Sequence, residues 1–223
     1  MPDSRRHRGP HPKDSRLFAA AHVPALRQAV EELSWLLTRG YASEAAMKLV
    51  GDRYQLHKRQ RAAVWRASCT DPSLERRVAT RGAGPEIVVD GFNVLVTVEA
   101  ALSGAVLLRG RDGLIRDLAS VHGTWRRVAE TERALDLLVA ALGDAAARWV
   151  IDRPVSNSGR LAGMLRERGQ AAEVVDAADP VLAASGLSVA TADGPLLDRS
   201  VGGVDLVGPI VDQLDDAWLI DLG

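Results

Sequence analysis

The sequence predicts an α/β fold: a parallel sheet flanked by helices, preceded by a small all-α, helix-turn-helix-like module. Three observations predict it. After residue 85, short β-branched runs alternate with helical segments, the pattern of parallel strands joined by crossover helices. Four apolar runs in that region stop at an aspartate: "IVVD" at Asp90, "WVID" at Asp152, "EVVD" at Asp176 and "LSVATAD" at Asp193. Before residue 82 the apolar residues recur instead at three- and four-residue spacing, the period of amphipathic helices.

The halves also differ in charge. Residues 1–82 hold 16 Lys+Arg and 8 Asp+Glu, a balance of +8; residues 83–223 hold 12 and 21, a balance of −9. A basic module attracts polyanions, and an acidic one repels them unless cations neutralise part of it. Apolar residues make up 47% of the 223-residue chain, enough for a real core. The single cysteine, Cys69, rules out an internal disulfide framework and fits a reducing cytosol. No window of 18 uninterrupted apolar residues is present, so no membrane span is expected. The start, "MPDSRRHRGPHPKDSR", lacks the apolar stretch of a signal peptide and reads as a disordered basic tail over 1–20.

The helical module is expected over 21–82. "VPALRQAVEELSWLLTRG" places Leu26, Val30, Leu33 and Leu37 on one face, with Pro24 in the first turn and Gly40 as the stop. "SEAAMKLV" starts with Ser43 as N-cap, and "GD" at 51–52 breaks the pattern before "RYQLHKRQRAAVWRAS" resumes it. Two short helices across a glycine-containing turn have the outline of a helix-turn-helix. Its second helix would carry Arg53, Lys58, Arg59, Arg61 and Arg66 toward phosphates, with Gln55, Gln60 or His57 near bases. The competing reading is a helical bundle with a solvated basic face.

Gly82, Gly84 and Pro85 punctuate the boundary to the α/β domain, 83–223. Strands are expected at 87–89, 148–151, 172–175, 187–190 and 204–207, and helices at about 131–142, 158–168, 178–185 and 209–216. In open parallel sheets, ligands bind beyond the carboxyl ends of the strands. Asp90, Asp152, Asp176 and Asp193 all stand at such ends. If these strands are neighbours their carboxylates crowd together, and crowding raises their pKa unless a cation compensates. Mg²⁺ or Mn²⁺ is the natural cation for clustered oxygen ligands and supports phosphodiester chemistry. Each aspartate has a plainer alternative as a helix cap. Asp179, followed by Pro180, is a good N-cap for its helix and also a carboxylate beside the same crevice.

In "DRPVSNSGRL", Ser156, Asn157 and Ser158 precede a helix, and helix N-termini bind phosphate. Simple capping by Ser158 competes with that role. Other chemistries are excluded or weaker. The histidines at 7, 11, 22, 57 and 122 lack metal-ligand spacing, and one cysteine excludes a zinc finger. There is no dinucleotide fingerprint, Walker A loop or nucleophile elbow. The five tryptophans read as core or interface rather than as a stacking platform.

"IVVDGFNVL" resembles the first strand of PIN and NYN-type nuclease domains, in which an Asp-Gly-Tyr/Phe-Asn step carries the first metal-binding acid. "ADPVLAASGLSVATAD" is similar to their later segment, where one acid begins a helix and another ends the next strand. Over roughly 20–220 the chain also resembles the family called domain of unknown function 434, in which a helical module precedes a PIN-like domain with a D-x-P-x-S-N-S-G segment, here Asp152 to Gly159. The resemblance implies a metal-dependent ribonuclease. Asp90, Asp179 and Asp193 match the metal-holding acids, and Asn93 matches the polar partner of the first. For the acid on the following helix, Glu99 is the best candidate and Asp117 the next. Two departures bear on activity. Pro195 stands where many relatives carry a further acid, the next one here being Asp198, and the insert 104–130 has no counterpart.

The leading expectation is therefore a Mg²⁺- or Mn²⁺-dependent ribonuclease with an N-terminal nucleic-acid-binding module. Asp90, Asp179 and Asp193 would hold the metal, with Glu99 and Asp152 in support. Asn93 would orient Asp90 or substrate, and Ser156 and Ser158 would approach phosphate. The alternative is a non-catalytic nucleic-acid-binding or regulatory protein with a degenerate PIN-like domain. A phosphatase with Asp90 as nucleophile fares worse, because Phe92 stands where a second aspartate belongs. The expected partner is RNA or another nucleic acid, in the cytoplasm, with no membrane; a homo-oligomer is compatible with the sequence.

Overall fold

The computed structural model describes residues 8–82, 84–119 and 123–223. Of the tail expected to be disordered, residues 1–7 lie outside the described residues, and from Asp14 the chain is helical and packed, which corrects that expectation. Helix α1 (Asp14–Leu17) and a 3-10 turn (Ala20–His22) lead into α2 (Val23–Thr38), and Leu17 and Phe18 are buried. The anchor is Asp14. It is fully buried, pairs with the Arg59 guanidinium, and accepts from the His11 amide at 2.9 Å.

Helix α2 buries Leu26, Ala29, Val30 and Leu33, the face its spacing predicts. Helix α3 (Ser43–Arg53) starts one residue after its N-cap, Ala42, so Ser43 is not the cap. Nor does α3 break at Gly51. That glycine is buried beneath the Arg61 guanidinium, and the helix continues past it to Arg53. The left-handed residue of the turn is Gln55, with φ 49°. Helix α4 (Lys58–Ala67) then begins at a capping box in which His57 accepts from the Arg59 amide and the Gln60 side chain accepts from the His57 amide. Arg53 thus ends α3 instead of lying on the second helix. Helix α5 (Asp71–Ala79), capped by Thr70 and carrying a proline in its first turn, completes the module.

The second half follows the predicted alternation: β1 (Glu86–Asp90), α6 (Gly91–Leu102), β2 (Leu107–Arg109), β3 (Ile115–Asp117), α7 (Thr131–Leu142), β4 (Ala146–Asp152), α8 (Ser158–Arg166), β5 (Ala171–Val175), α9 (Ala178–Ala183), β6 (Ser188–Ala190), α10 (Gly194–Leu197), β7 (Gly203–Val204), α11 (Gly208–Val211) and β8 (Leu219–Asp221). Five strands form a parallel sheet in the order β5-β4-β1-β6-β7. The strand expected at 204–207 stops after Val204. There the Asp205 carboxylate turns the chain by accepting from the Gly208 amide at 2.7 Å. The helix after it is one turn rather than the expected two.

Chain direction defines the crevice. From β1 the chain builds outward to β4 and β5 on one side; β6 returns to the other side of β1 and leads to β7. The reversal lies between β1 and β6, so the carboxyl ends of those two strands open the binding crevice of a doubly wound sheet. Fully buried Trp149 on β4 and Trp125 lie in the main core with Val89, Leu95, Leu135 and Leu138. Gly91 lets α6 begin directly on the sheet, since a Cβ would meet Val150 O at 3.2 Å and Ile151 Cγ1 at 3.1 Å.

The insert 104–130 supplies β2 and β3, an antiparallel pair; β8 joins β2 in parallel, giving a second sheet in the order β3-β2-β8. This small sheet completes the helical module. Val106, Leu108, Leu118, Ile220 and Leu222 share one core with Leu26, Leu33, Ala63 and Val64. The expected boundary near residue 82 therefore separates stretches of chain but not cores. Among the described residues, no helix is long and apolar enough to cross a membrane.

Candidate functional site

A cleft of about 610 Å³ lies at the carboxyl ends of β1, β4 and β6, and it is lined by five aspartates: Asp90, Asp117, Asp152, Asp179 and Asp193. Each is delivered differently. Asp90 ends β1 and stands at the N-cap of α6, yet makes no capping hydrogen bond. Its Oδ2 accepts instead from Thr191 Oγ1 at 2.9 Å. Asn93, one turn into α6, accepts from the Ala192 amide at 2.9 Å and ties that helix to the loop after β6. Asp193 ends the same loop and caps α10 by accepting from the Leu196 amide at 2.8 Å.

Asp152 also caps, but not the helix that follows it. Its Oδ1 accepts from the Ala178 amide at 2.7 Å, at the start of α9. Asp179 is therefore not the N-cap its sequence position predicts: α9 begins at Ala178, Asp179 lies inside the first turn, and its Oδ2 pairs with Arg199 at 3.0 Å. In each of these four acids one oxygen is committed to a protein donor.

The fifth acid, Asp117, ends β3 in the insert. Its Oδ2 accepts from Thr97 Oγ1 on α6 at 2.8 Å. Of the two candidates for the acid associated with α6, Asp117 lines the cleft, whereas Glu99 does not. Glu99 is fully buried behind it, where it accepts from Thr131 Oγ1 at 2.5 Å and pairs with Arg8. Burial pushes the Glu99 carboxyl up, opposed chiefly by Arg8.

The electrostatics follow from this crowding. Burial pushes Asp90 up to about 7, and the charges of Asp179 and Asp193 push the same way against the hydrogen bond from Thr191. Burial likewise raises Asp117, against Thr97 and Arg66. Across the cleft stand Arg66, Arg77 and Arg116. Arg77 and Arg116 both bind the buried Asp112 carboxylate, at 2.8 and 2.7 Å. They outweigh the burial that would raise it and hold Asp112 at about 2. Arg77 also takes Asp198 at 2.8 Å, and Arg116 Nε donates to Ala192 O at 2.8 Å. This network joins α5, the insert and the loop after β6. Asp198, the next acid after Asp193, belongs to it.

Other expected site residues lie elsewhere. Ser156, Asn157 and Ser158 are not among the residues lining the cleft. Asn157 is the N-cap of α8 in a left-handed conformation, φ 72°, and its side-chain amide donates to Trp125 O at 2.8 Å; Ser158 is the first helical residue rather than the cap. Asp176 is exposed and pairs with Arg153 at 2.7 Å. On the helical module, Arg59 is held by Asp14, Arg61 by Asp52 at 2.7 Å, and Arg53 by Glu32 at 3.3 Å, while Lys58 is exposed. Gln60 is buried and donates to Leu17 O at 2.8 Å. Most of the basic side chains expected to meet phosphate therefore have internal partners.

Sequence reading missed Thr191, Asp112, Arg77 and Trp65. Thr191 had a signal, a hydroxyl two residues before the strand-end acid. Arg77 and Trp65 come into the cleft only through the packing of the module on the sheet, and Asp112 lies behind it as the partner of Arg77 and Arg116.

The carboxylate donors suit a hard divalent cation in kind. They do not form a closed cage: among the described residues, no group of three or more His, Cys, Asp or Glu side chains could hold a metal ion. An oxygen-rich ligand would have to supply the remaining positions, as substrate phosphates commonly do for Mg²⁺.

Two family profiles match the chain. "Protein of unknown function (DUF434)" matches residues 25–79, and "Domain of unknown function (DUF5616)" matches residues 80–208. Their junction falls close to the boundary read from the glycines and proline. An uncharacterised protein of Methanocaldococcus jannaschii is 30% identical over 154 residues, 66% of this chain and 74% of the relative. No solved structure matches the chain. With more than half of its length matched by that one profile, the chain belongs to the DUF5616 family, with a DUF434 segment in front.

Proposed function

We propose that the cleft hydrolyses phosphodiester bonds in RNA with the help of Mg²⁺ or Mn²⁺. The observation that carries the reading is the convergence of Asp90, Asp117, Asp152, Asp179 and Asp193 on one cleft at the switch point of the sheet. Burial raises Asp90 to about 7, with smaller contributions from the charges of Asp179 and Asp193. A cation bound among these oxygens would remove that penalty. Because no three of these acids form a cage, at most two of Asp90, Asp179 and Asp193 would hold it at once, and the substrate's phosphate oxygens and water would complete its shell. Such an ion neutralises charge on a phosphoryl group and lowers the pKa of water.

The chain's own residues do the positioning. Thr191 fixes the rotamer of Asp90 through Oδ2, and Asn93 locks the loop that carries Asp193. Arg66, which sits beside Asp117 at 3.8 Å and donates to Ala119 O, is the most exposed of the three cleft arginines, its side chain 34% exposed against 6% and 9% for Arg77 and Arg116. The test is cleavage of a mixed pool of single-stranded RNAs with Mg²⁺, with Mn²⁺ and with chelator, by wild type and by Asp90→Asn. Cation-dependent cleavage lost in the variant is the expected result; equal cleavage by both proteins overturns the assignment.

The incomplete ligand cage favours a second reading, a binding protein that retains the cleft without turnover. Its signature is salt-sensitive RNA binding with no cation-dependent products.

A further inference from the structure

The acids line only part of the cleft. Part of the rest belongs to the helical module, which contributes Leu37 from α2 and Trp65 and Arg66 from the last turn of α4. Trp125 and Trp149 are fully buried, whereas Trp65 is 46% exposed. Its position is set by its neighbour: the Arg66 guanidinium donates to the carbonyls of Asp117 and Ala119, with Ala119 O at 3.2 Å. The turn bearing Trp65 is thereby pinned to the end of β3, beside one of the cleft acids. Phe92 and Val96 from α6 add apolar surface to the same cavity. A cleft of about 610 Å³ is of the size that encloses small ligands.

We propose that Trp65 is a stacking platform for an unpaired base, so that the cleft takes single-stranded nucleic acid with a phosphate toward the acids and the adjacent base on the indole. This rests on the phosphodiester reading above and names the substrate form. Every base has a π face, so an indole holds a strand without reading its sequence. A base inside a duplex has both faces covered by its neighbours and cannot reach the ring without leaving the stack. The helical module would then act on nucleic acid through the rim of this cleft rather than through the outward face of a recognition helix.

The test is fluorescence anisotropy of an end-labelled single-stranded oligouridine at low salt, with Ca²⁺ present to neutralise the acids and a gel of each sample to confirm that the strand is intact. It compares wild type, Trp65→Phe, Trp65→Ala and, as a control, Trp35→Ala, which removes an exposed tryptophan outside the cleft. Trp65→Ala should weaken binding about 5- to 150-fold, the range for loss of one stacked base. Trp65→Phe should retain most of the affinity, and Trp35→Ala should match wild type. A strand of the same length with abasic residues should bind wild type and Trp65→Ala equally, and a blunt duplex should show no dependence on Trp65. A single-stranded DNA arm reports whether the platform distinguishes the sugar. Wild-type affinity in Trp65→Ala, or a loss that persists on the abasic strand, overturns the platform and leaves the cation-dependent reading of the acids intact. Absence of any binding by wild type and by Asp90→Asn, whose cleft carries one charge fewer, overturns it as well. Failure of the hydrolytic reading would show instead as binding through Trp65 without cleavage.

Discussion

Replacing Asp90 with asparagine should make the cation-free protein more stable, and only at the upper end of the pH range. In the folded chain the Asp90 carboxyl is pushed up to about 7 from an ordinary value of 3.8. Between those two values the folded state holds a proton that the unfolded state has released. Stability therefore falls as pH rises through this window and levels off above about 7. At 1.36 kcal/mol per pH unit, the two units from pH 5 to 7 amount to about 3 kcal/mol. That is a large fraction of the 5–15 kcal/mol that holds a typical domain together. Asparagine keeps an oxygen for Thr191 and carries no charge at any of these pH values. Urea unfolding in EDTA at pH 5 and pH 8 measures the difference between the two proteins, and groups that titrate alike in both cancel. Asp90→Asn should gain about 3 kcal/mol on wild type between the two pH values. A variant that is less stable at pH 8, or a difference that does not change with pH, would refute the account of crowded, buried charge.

Further predictions follow from the same geometry. Asp112→Ala leaves the buried Arg77 and Arg116 uncompensated and should cost about 3–5 kcal/mol, read by urea unfolding. Leu108→Ala, in the core shared by β2 and the helices, should cost about 2–5 kcal/mol. Because that core is common to both parts, thermal unfolding of this variant should remain one transition by far-UV and near-UV circular dichroism; separate transitions would show that the module folds alone. Thr191→Val removes the hydroxyl donor to Asp90, which should move the carboxyl further up. The pH at which cation binding reaches half its maximum should rise, and an unchanged midpoint would remove Thr191 from the site.

Much of the main sheet was legible because strands buried on both faces are written as continuous apolar runs. "IVV", "WVI", "EVV" and "SVA" each became a strand of the parallel sheet. The second sheet was not legible. Its first two strands are three residues each on either side of a glycine turn, too short to show alternation, and the third, β8, also three residues, arrives from the far end of the chain. Gly51 misled because a glycine buried within a helix looks the same in sequence as one that ends it. The site divides in the same way. Asp90, Asp152 and Asp193 could be picked out one strand end at a time, and Asp179 as the acid that opens the next helix; Asp176, also at a strand end, faces solvent instead. Which acids serve as caps could not be read, because Asp152 caps a helix two elements further along the chain. Asp117 displaced Glu99 from the cleft for a comparable reason: its place depends on a hairpin whose position is set by the helices packed beneath it.

The most direct measurement is calorimetric titration of Mn²⁺ into wild type and Asp90→Asn at pH 8, alone and with a single-stranded RNA present. The account predicts binding by wild type that strengthens when RNA supplies phosphate oxygens, and a loss of at least about tenfold in Asp90→Asn. At pH 6 the same titration should release a proton from Asp90, seen as a dependence of the heat on the buffer. Equal binding by the two proteins, or none by folded wild type with or without RNA, would contradict the claim that the strand-end aspartates form one cation-dependent site.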